Sequence, residues 1–379
     1  MSAPLKDILR RHIQLSGPLG LDTFMQTCLH HRPHGYYFRG QGIGRAGDFI
    51  TAPEASPLFG QAVANWIRDE WEQLGQPTAW RLVELGPGRG TLMATILSHL
   101  PNPPDQLQMV EASPAFQRMI TERLCDKNHQ GRNHKDTNHK QMGHKIDFVE
   151  ELGLLPASDL PTLLIANEYL DALPIRQFRR LDGQIYEMGV GWNEAENDLQ
   201  FVHKSSATFP CPLPPSPKER EGYDGRGGHD EHDRQGESDG PHGTDGFWEV
   251  NLAAQMHTKF LCQEVANAGG AALLIDYGYA DWPGTPTFQA IERHETVNPL
   301  ANPGEADLTA LVDFGTLSKI VSEQKLIPTL ETQQKFLLRH GIDQMLETHR
   351  DQAAAAARLI RDDGMGTLFK ALSFRACAP

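Results

Sequence analysis

Three glycines and one carboxylate stand close together in this sequence and could form a ligand site. Glu84 is followed on alternate residues by Gly86, Gly88 and Gly90, so the pattern is ExGxGxG. Glycine has no Cβ and tolerates positive φ, and a turn built from it lets the backbone approach a ligand closely. The carboxylate beside the turn favours a ligand that carries positive charge.

Three interpretations of this turn are open. A dinucleotide fingerprint, GxGxxG, would place its third glycine at position 91, where this chain has Thr91. The observed spacing is instead typical of sites for S-adenosylmethionine, which has no pyrophosphate and carries an ammonium and a sulfonium group. We therefore predict that Glu84 and the three glycines bind this methyl donor. A dinucleotide site and a turn that serves packing alone are the alternatives.

Acidic and amide side chains also follow two further apolar segments. Glu111 ends the segment LQMVE, and an acid there in a doubly wound sheet would meet both ribose hydroxyls of a bound nucleoside. A solvated surface glutamate is the alternative. Asn167, Glu168 and Asp171 follow the apolar segment TLLIA, and we predict a functional role for them. The alternative is that Asn167 and Asp171 only cap the next turn.

The elements that must position these residues indicate an α/β fold. Residues 80–85 are typical of a buried parallel strand, and from Leu92 apolar residues recur at helical spacing until Pro101. Further strands are predicted at 107–111, 162–166, 271–278 and 368–376, and further helices at 57–74, 114–124 and 252–265. Because the carboxyl ends of parallel strands meet at one edge of a sheet, the glycine turn and the polar residues should come together there.

A helical N-terminal cap is predicted ahead of this core, with a boundary between residues 78 and 79. Residues 4–31 show the spacing of two short helices, and a long glycine-rich loop then leads to a helix that begins at Ser56 and Pro57. We expect the loop to cover the donor as a lid and count its Asp48 and Thr51 among the cofactor contacts. An ordinary surface loop is the alternative.

Three other segments are predicted inside the second domain, residues 79–379. Residues 175–181 and 184–190 flank an Asp-Gly pair and indicate an antiparallel hairpin, which a strand at 199–203 extends.

Residues 126–145 hold an imperfect five-residue repeat that spaces four histidines equally: His129, His134, His139 and His144. A period of five fits neither helix nor strand, so we predict an insertion without fixed structure, with a metal-binding tract as the alternative. Residues 205–246 are rich in Pro, Gly, Asp and His and are interpreted likewise.

Composition limits the kinds of partner. The chain has 379 residues and a formal charge of −14, which argues against nucleic acid and suits a cationic substrate. Its apolar segments are too short for a membrane span, so no membrane insertion is predicted. The five cysteines lie far apart without a CxxC pair, which favours a reducing compartment and no structural metal. The first residues resemble neither a signal nor a transit peptide, and we predict a cytoplasmic protein.

With these segments in place, the chain resembles the MidA family of methyltransferase-fold proteins, which are associated with assembly of respiratory complex I. The matching segments run nearly from end to end: HGYYFRG, GRAGDFITAPEASPLFG, LVELGPGRGTL, VEASP, NEYLDALPIRQF, LLIDYG, PGEADLTALVDF and FLLRHGI. Tyr169 and Leu170 replace a more familiar aromatic pair, which could alter the acceptor pocket. The start of the chain resembles the bacterial members of the family.

This resemblance implies a class I, Rossmann-like fold with a seven-stranded, mostly parallel sheet whose last strand is antiparallel, and S-adenosyl-L-methionine as the donor. It also implies an acceptor, an arginine of the complex I subunit homologous to the mitochondrial 49 kDa protein, which would receive symmetric dimethylation. Glu168 and Asp171 would then hold and polarise the guanidinium, and Asn167 would orient it. Two rival functions are a methyltransferase for another acceptor and a non-catalytic assembly factor that binds the donor. A homodimer is left open.

Overall fold

A sheet of seven main strands forms the centre of the protein. The computed structural model describes residues 4–38, 51–125, 146–181, 184–205 and 246–376. Both predicted insertions lie almost wholly outside these residues, as do Asp48 and the four repeat histidines. The predictions made for them therefore stay predictions.

The described residues form the following strands and helices. The strands are β1 (Leu19–Gly20), β2 (Arg81–Leu85), β3 (Gln106–Val110), β4 (Ile146–Val149), β5 (Thr162–Asn167), β6 (Arg176–Leu181), β7 (Gln184–Asn193), β8 (Asp198–Ser205), β9 (Phe247–Val250), β10 (Gly270–Tyr279), β11 (Gln289–Glu292), β12 (Glu295–Val297), β13 (Asp307–Thr309), β14 (Val312–Asp313), β15 (Ile327–Thr332) and β16 (Phe369–Arg375). The helices are α1 (Pro4–Ser16), α2 (Leu21–His30), α3 (Ala52–Ala55), α4 (Pro57–Gln73), α5 (Thr91–His99), α6 (Pro114–Cys125), α7 (Leu252–Ala268), α8 (Phe314–Glu323), α9 (Gln333–Arg339), α10 (Ile342–Thr348), α11 (Ala353–Ile360) and α12 (Met365–Leu368).

The main sheet has the strand order β15-β16-β10-β5-β2-β3-β4. Strand β16 runs antiparallel to both of its neighbours, the other pairs are parallel, and the short β14 adds to the end of β10. The predicted mostly parallel sheet with a last antiparallel strand is therefore confirmed. The strand order reverses between β2 and β5, and ligands of open α/β sheets bind in the crevice beyond the carboxyl ends of the strands at such a point.

The central strands are buried on both faces, which explains why their sequences are largely apolar rather than alternating. Every residue of β2 and β5 is buried. One face packs on α4, α5 and α6 through side chains such as Phe59, Trp66 and Phe116. The other face packs on α7 and α8 through side chains such as Leu261 and Phe314.

A second sheet, antiparallel, lies beside the N-terminal helices. Its order is β1-β7-β6-β9, with β8 on the other side of β7. Leu181 pairs with Gln184, so the predicted hairpin and its third strand are confirmed. Helices α1 and α2 bury Leu9 and Phe24 in a core shared with β7 and with Leu308 of β13. The domain boundary after residue 78 stays a prediction.

Arg81, at the start of β2, ties four segments together at the amino edge of the main sheet. Its guanidinium is fully buried and donates to Thr162 Oγ1 at 3.0 Å, Gln108 Oε1 at 3.3 Å, the Pro156 carbonyl at 2.8 Å and Glu264 Oε2 at 2.6 Å. These partners come from β5, β3, the loop before β5, and α7. The fork of five donors on a guanidinium suits this arrangement, since a buried cation must be paired and hydrogen-bonded.

No helix in the part of the chain that the structure describes combines the length and hydrophobicity needed to cross a membrane.

Candidate active site

A cavity of about 540 Å³ opens at the carboxyl edge of the main sheet, where the strand order reverses. Seven of the nine predicted site residues that the structure describes line it: Thr51, Glu84, Gly86, Gly88, Glu111, Asn167 and Glu168. The other two, Gly90 and Asp171, are not among the residues that line the cavity. Residues from three strand ends thus converge on one cavity, as the sheet topology requires.

The glycine turn between β2 and α5 forms one side of the cavity. Gly86 has φ +61°, and a Cβ there would lie 2.7 Å from the ring of Tyr169. Gly90 caps α5 with φ +73°, and its Cβ would meet Ile120 of α6 at 3.2 Å. Gly86 is therefore needed where the backbone turns beneath the cavity, and Gly90 where two helices approach each other.

Glu84 is buried at the end of β2, and its Oε2 has no hydrogen-bond partner among the described residues. Burial, and then the like charge of Glu111, raise the pKa of this carboxyl to about 8. The Asn167 Oδ1 atom of the cavity wall is likewise buried without a partner. Buried polar atoms are normally paired, so two unpaired acceptors in one cavity point to a ligand that donates hydrogen bonds. The ammonium of S-adenosylmethionine fits this requirement at Glu84.

Glu111 follows β3 and is fixed by its own turn. Its Oε1 accepts a 2.7 Å hydrogen bond from the Ser113 backbone N–H, and the pKa of its carboxyl is raised to about 7 by burial. The carboxylate lines the cavity one strand away from Glu84. An acid in this position can accept bonds from two neighbouring hydroxyl groups of a ribose.

Glu168 occupies an unusual backbone position directly after β5. Its φ is +51°, which is uncommon for a residue with a side chain and often marks a functional site. Its Oε1 accepts hydrogen bonds from the Ala52 backbone N–H at 2.8 Å and from Asn167 Nδ2 at 3.2 Å. Burial raises the pKa of this carboxyl to about 7, although the bond from Ala52 acts in the opposite direction. Glu168 thus connects the strand edge to the start of α3.

Asp171 is turned away from the cavity. Its carboxyl is buried near the hydroxyl of Tyr277, with which it forms a hydrogen bond, and burial raises its pKa to about 7.

Thr51 caps α3 at the mouth of the cavity, and Glu54 of that helix accepts a 2.6 Å bond from the Thr91 hydroxyl. The segment predicted as a lid is described only from Thr51 onward, so its role stays a prediction.

Several wall residues were not predicted from the sequence. The N-terminal cap contributes Gln26, His30, Arg32, Tyr37 and Phe38. Two further groups come from elsewhere in the chain: Glu150 and Glu151 after β4, and Tyr169 with His257 of α7. The acids after β4 carry the same signal as Glu111, because they end a strand of the parallel sheet. The N-terminal residues carry no such signal, since neither the helical pattern before residue 31 nor the motif HGYYFRG says which part of the chain they contact.

The cavity wall is acidic. It contains six glutamates, Glu54, Glu84, Glu111, Glu150, Glu151 and Glu168, and two arginines, Arg32 and Arg89. Arg32 pairs with Glu150 at 2.9 Å. The excess of carboxyl groups gives a field that attracts cationic ligands and repels anions such as pyrophosphate.

The fold and this site define a class I S-adenosylmethionine-dependent methyltransferase. Residues 62–331 match the model of the family described as "Putative S-adenosyl-L-methionine-dependent methyltransferase". The solved structure of a candidate methyl transferase from Burkholderia thailandensis, bound to S-adenosyl-homocysteine, superimposes with a TM-score of 0.77 at 25% identity and covers 98% of this chain and 91% of its own. The chain belongs to the MidA family, as its sequence motifs predicted.

Curated relatives in animals cover most of the chain. The protein arginine methyltransferase NDUFAF7 homolog of Caenorhabditis elegans, a mitochondrial protein, is 31% identical over 97% of this chain and 85% of its own length. The human protein arginine methyltransferase NDUFAF7 is 30% identical over 92% of this chain and 76% of its own length. These matches, with the ligand of the bacterial structure, establish S-adenosyl-L-methionine as the donor.

Donor affinity should depend on pH through Glu84. A cation beside this carboxyl favours its ionised form, so binding must release the proton that the carboxyl holds below a pKa of about 8. Between pH 5.5 and 7, where the ligand ammonium stays charged, we expect affinity to rise about tenfold per pH unit from this group. Titration calorimetry with S-adenosylhomocysteine, in buffers of different ionisation enthalpy, measures both the affinity and the proton release.

The Glu84→Gln variant separates Glu84 from the neighbouring Glu111. Its affinity should be lower, and the slope of log affinity against pH should fall by about one relative to the parent, because one titrating group is gone. Equal slopes in parent and variant would show that Glu84 does not exchange a proton when the donor binds.

Proposed function

We propose that this protein methylates an arginine side chain of a protein acceptor. The acceptor proposed from the family resemblance is the complex I subunit homologous to the mitochondrial 49 kDa protein, with symmetric dimethylarginine as the product. The observation that carries the proposal is the acidic wall, with Asn167 and Glu168 at the end of β5, beside the glycine turn. The names of the animal relatives, which are protein arginine methyltransferases, support it.

A guanidinium suits this wall for two reasons. It stays protonated near neutral pH, and its planar set of N–H donors pairs with carboxylates. The hydrogen bonds that the Glu168 side chain accepts from Ala52 and Asn167 both end on its Oε1 atom. We assign Glu168 Oε2 and the unpaired Asn167 Oδ1 to the acceptor.

The transfer needs alignment and one proton acceptor. S-adenosylmethionine, when bound, supplies a methyl group on a sulfonium and leaves as neutral S-adenosylhomocysteine. The protein's part is to hold one guanidinium nitrogen in line with that carbon, which is the main source of catalysis in such a displacement. As the N–C bond forms and the S–C bond breaks, the nitrogen loses a proton, and Glu168 is placed to take it. A carboxyl with a pKa of about 7 suits that task near neutral pH.

The direct test is a methylation assay with the purified protein, the bacterial homologue of the 49 kDa subunit and S-adenosylmethionine that carries a deuterated methyl group. We expect mass spectrometry to find one arginine with a labelled methyl on each terminal nitrogen. Label on another residue or a small molecule would assign a different acceptor. A stable complex with the subunit, with donor bound and no label transferred, would identify a non-catalytic assembly factor. The cytoplasmic location and the homodimer stay predictions.

A further inference from the structure

Asp276 of β10 has an unusual set of partners behind the active site. The side chain is fully buried. Its Oδ2 accepts three consecutive backbone N–H groups of the turn after β5, from Tyr169 at 3.1 Å, Leu170 at 2.9 Å and Asp171 at 3.1 Å. Its Oδ1 accepts the N–H of Tyr277 at 2.9 Å. Successive N–H groups that converge on one point form an anion-binding nest, and here the anion belongs to the protein itself.

The turn that Asp276 holds is the one that presents Glu168. The Glu168 N–H donates to the Ile275 carbonyl at 2.9 Å, so this residue is fixed at its backbone by the strand that carries Asp276. Its left-handed conformation, with φ +51°, costs free energy that the surroundings must supply. Three buried N–H groups of the turn would lack partners without the carboxylate, and each such loss is costly.

The charge of Asp276 also affects the ionisation of Glu168, on the acceptor side of the site. Four N–H donors favour the ionised form of a carboxyl group. Burial, and then the like charges of Asp171 and Glu168, raise the pKa of Asp276, while the N–H groups of the turn lower it. Both carboxyl oxygens accept only N–H groups, so a protonated carboxyl would have no acceptor for its own proton among these partners, and this geometry assigns the ionised form. The repulsion between Asp276 and its two acidic neighbours is mutual. In the low-dielectric interior a buried negative charge disfavours ionisation of its acidic neighbours, which raises their proton affinity.

We propose that Asp276, which does not line the cavity, is a positioning residue for methyl transfer: it holds the 168–171 turn, and its negative charge tunes the proton affinity of Glu168. This inference rests on the proposed function, because it treats Glu168 as the group that meets the acceptor. Nothing in the family description or in the names of the relatives assigns Asp276 a role.

Other charged and titratable groups surround this centre and must be considered with it. They are Glu168, Asp171, Tyr277, Tyr37, Asp307, Arg358 and Lys370. Tyr37 donates to Asp307 at 3.1 Å, and Arg358 acts on Glu168. Lys370 lies across from Asp276 on β16, but its ammonium donates to the Thr367 and Leu368 carbonyls. The four carboxyl groups outnumber the two cations, so removing the charge of Asp276 should make Glu168 more acidic.

The test is the Asp276→Asn variant, which keeps the size of the side chain and removes its charge. We expect kcat to fall about a hundredfold while the Kd for S-adenosylhomocysteine stays within about threefold, because the glycine turn and Glu111 are unchanged. The acidic limb of the kcat profile should move to lower pH, by about one unit, since a negative neighbour of Glu168 is lost. A purely structural role would not move that limb.

Hydrogen exchange gives a readout that needs no acceptor. The amides of residues 169–171 should exchange faster in Asp276→Asn than in the parent, while those of residues 86–92 should not change. If the parent methylates no arginine, the proposed function fails, and the exchange rates still show whether Asp276 holds the turn. Faster exchange with unchanged kcat and pH profile would overturn the positioning role.

Two further variants complete the design. Asp313→Asn is the matched control, because Asp313 also accepts a backbone N–H, from Thr316 at 3.0 Å, but caps α8 away from the cavity; its kcat and pH profile should equal those of the parent. If Asp276→Asn does not fold, Asp276→Glu keeps the charge and displaces it. That variant should lose kcat and retain the acidic limb of the parent. Failure of both variants to bind S-adenosylhomocysteine would assign Asp276 to stability alone and overturn the proposal.

Discussion

Replacement of Glu168 by glutamine is expected to lower kcat for methyl transfer by about two to three orders of magnitude and to leave donor affinity within about threefold. Glutamine keeps the shape of the side chain and an oxygen that can accept the Ala52 N–H. It removes the negative charge that we propose holds the guanidinium and the group that we propose takes its proton. Steady-state kinetics with the protein acceptor, together with calorimetry of S-adenosylhomocysteine binding, measure the two effects separately.

The pH dependence of the parent provides a second check on the same residue. A proton acceptor must be ionised, and the pKa of Glu168 is about 7. With the donor at saturation, kcat/KM for the protein acceptor should therefore rise with pH up to about 7 and then level off. Glu168→Gln should abolish that rise in the residual activity.

Glu249→Gln is the matched control for this variant. Glu249 is, like Glu168, a half-buried glutamate with a raised pKa that accepts a backbone N–H, from Thr287 at 2.7 Å, but it lies in β9 outside the cavity. Its kcat should stay close to that of the parent. A collapse of donor affinity in Glu168→Gln would instead place Glu168 in the cofactor site. No change in either quantity would mean that the chemistry lies elsewhere or that the protein is not an enzyme.

Replacement of Arg81 by methionine is expected to lower the free energy of unfolding by about 3–5 kcal/mol, because loss of one partner leaves a buried charge and buried acceptors uncompensated. Methionine fills much of the space of the arginine stem, so the loss reports the polar contacts rather than a cavity. Thr162, Gln108 and Glu264 would all lose a donor. Urea denaturation followed by circular dichroism gives the difference.

The double variant Arg81→Met/Glu264→Gln should recover part of this loss, since the carboxylate left without its partner is then neutral. Arg361→Met is the contrasting control. Arg361 pairs with Asp363 at 2.6 Å on the surface, where ion pairs contribute little, and we expect no measurable change. Equal stabilities of Arg81→Met and Arg361→Met would show that the buried network does not hold the sheet together.

The sequence was most informative where elements are buried on both faces. Strands β2, β5 and β10 are largely apolar, and their ends allowed the sequence to predict that the glycine turn, Glu84 and Asn167 lie at one edge. Strands β4 and β15 were missed, because they are the edge strands of the sheet and are only half-buried, with no apolar pattern of their own. Burial on one side leaves too weak a signal for a short strand.

The site was harder to predict where it depends on tertiary contacts. Asp171 was predicted beside Glu168 at the acceptor, but the turn after β5 directs its carboxyl towards Tyr277, and local sequence does not reveal that rotation. The contribution of Gln26, His30 and Tyr37 depends on how α2 packs on a distant part of the chain. A pattern confined to neighbouring residues carries no information about such packing.

The bond between the Tyr37 hydroxyl and Asp307 Oδ1, 3.1 Å long, joins residues that are 270 positions apart. Contacts of such wide separation form late, because a long loop must close before they contribute. During synthesis the glycine turn and the neighbouring strands emerge from the ribosome well before Asp307, so the N-terminal wall of the cavity cannot be completed until most of the chain has been made. Partly synthesised chains therefore lack the bond that ties Tyr37, a residue of the cavity wall, to the C-terminal part of the fold.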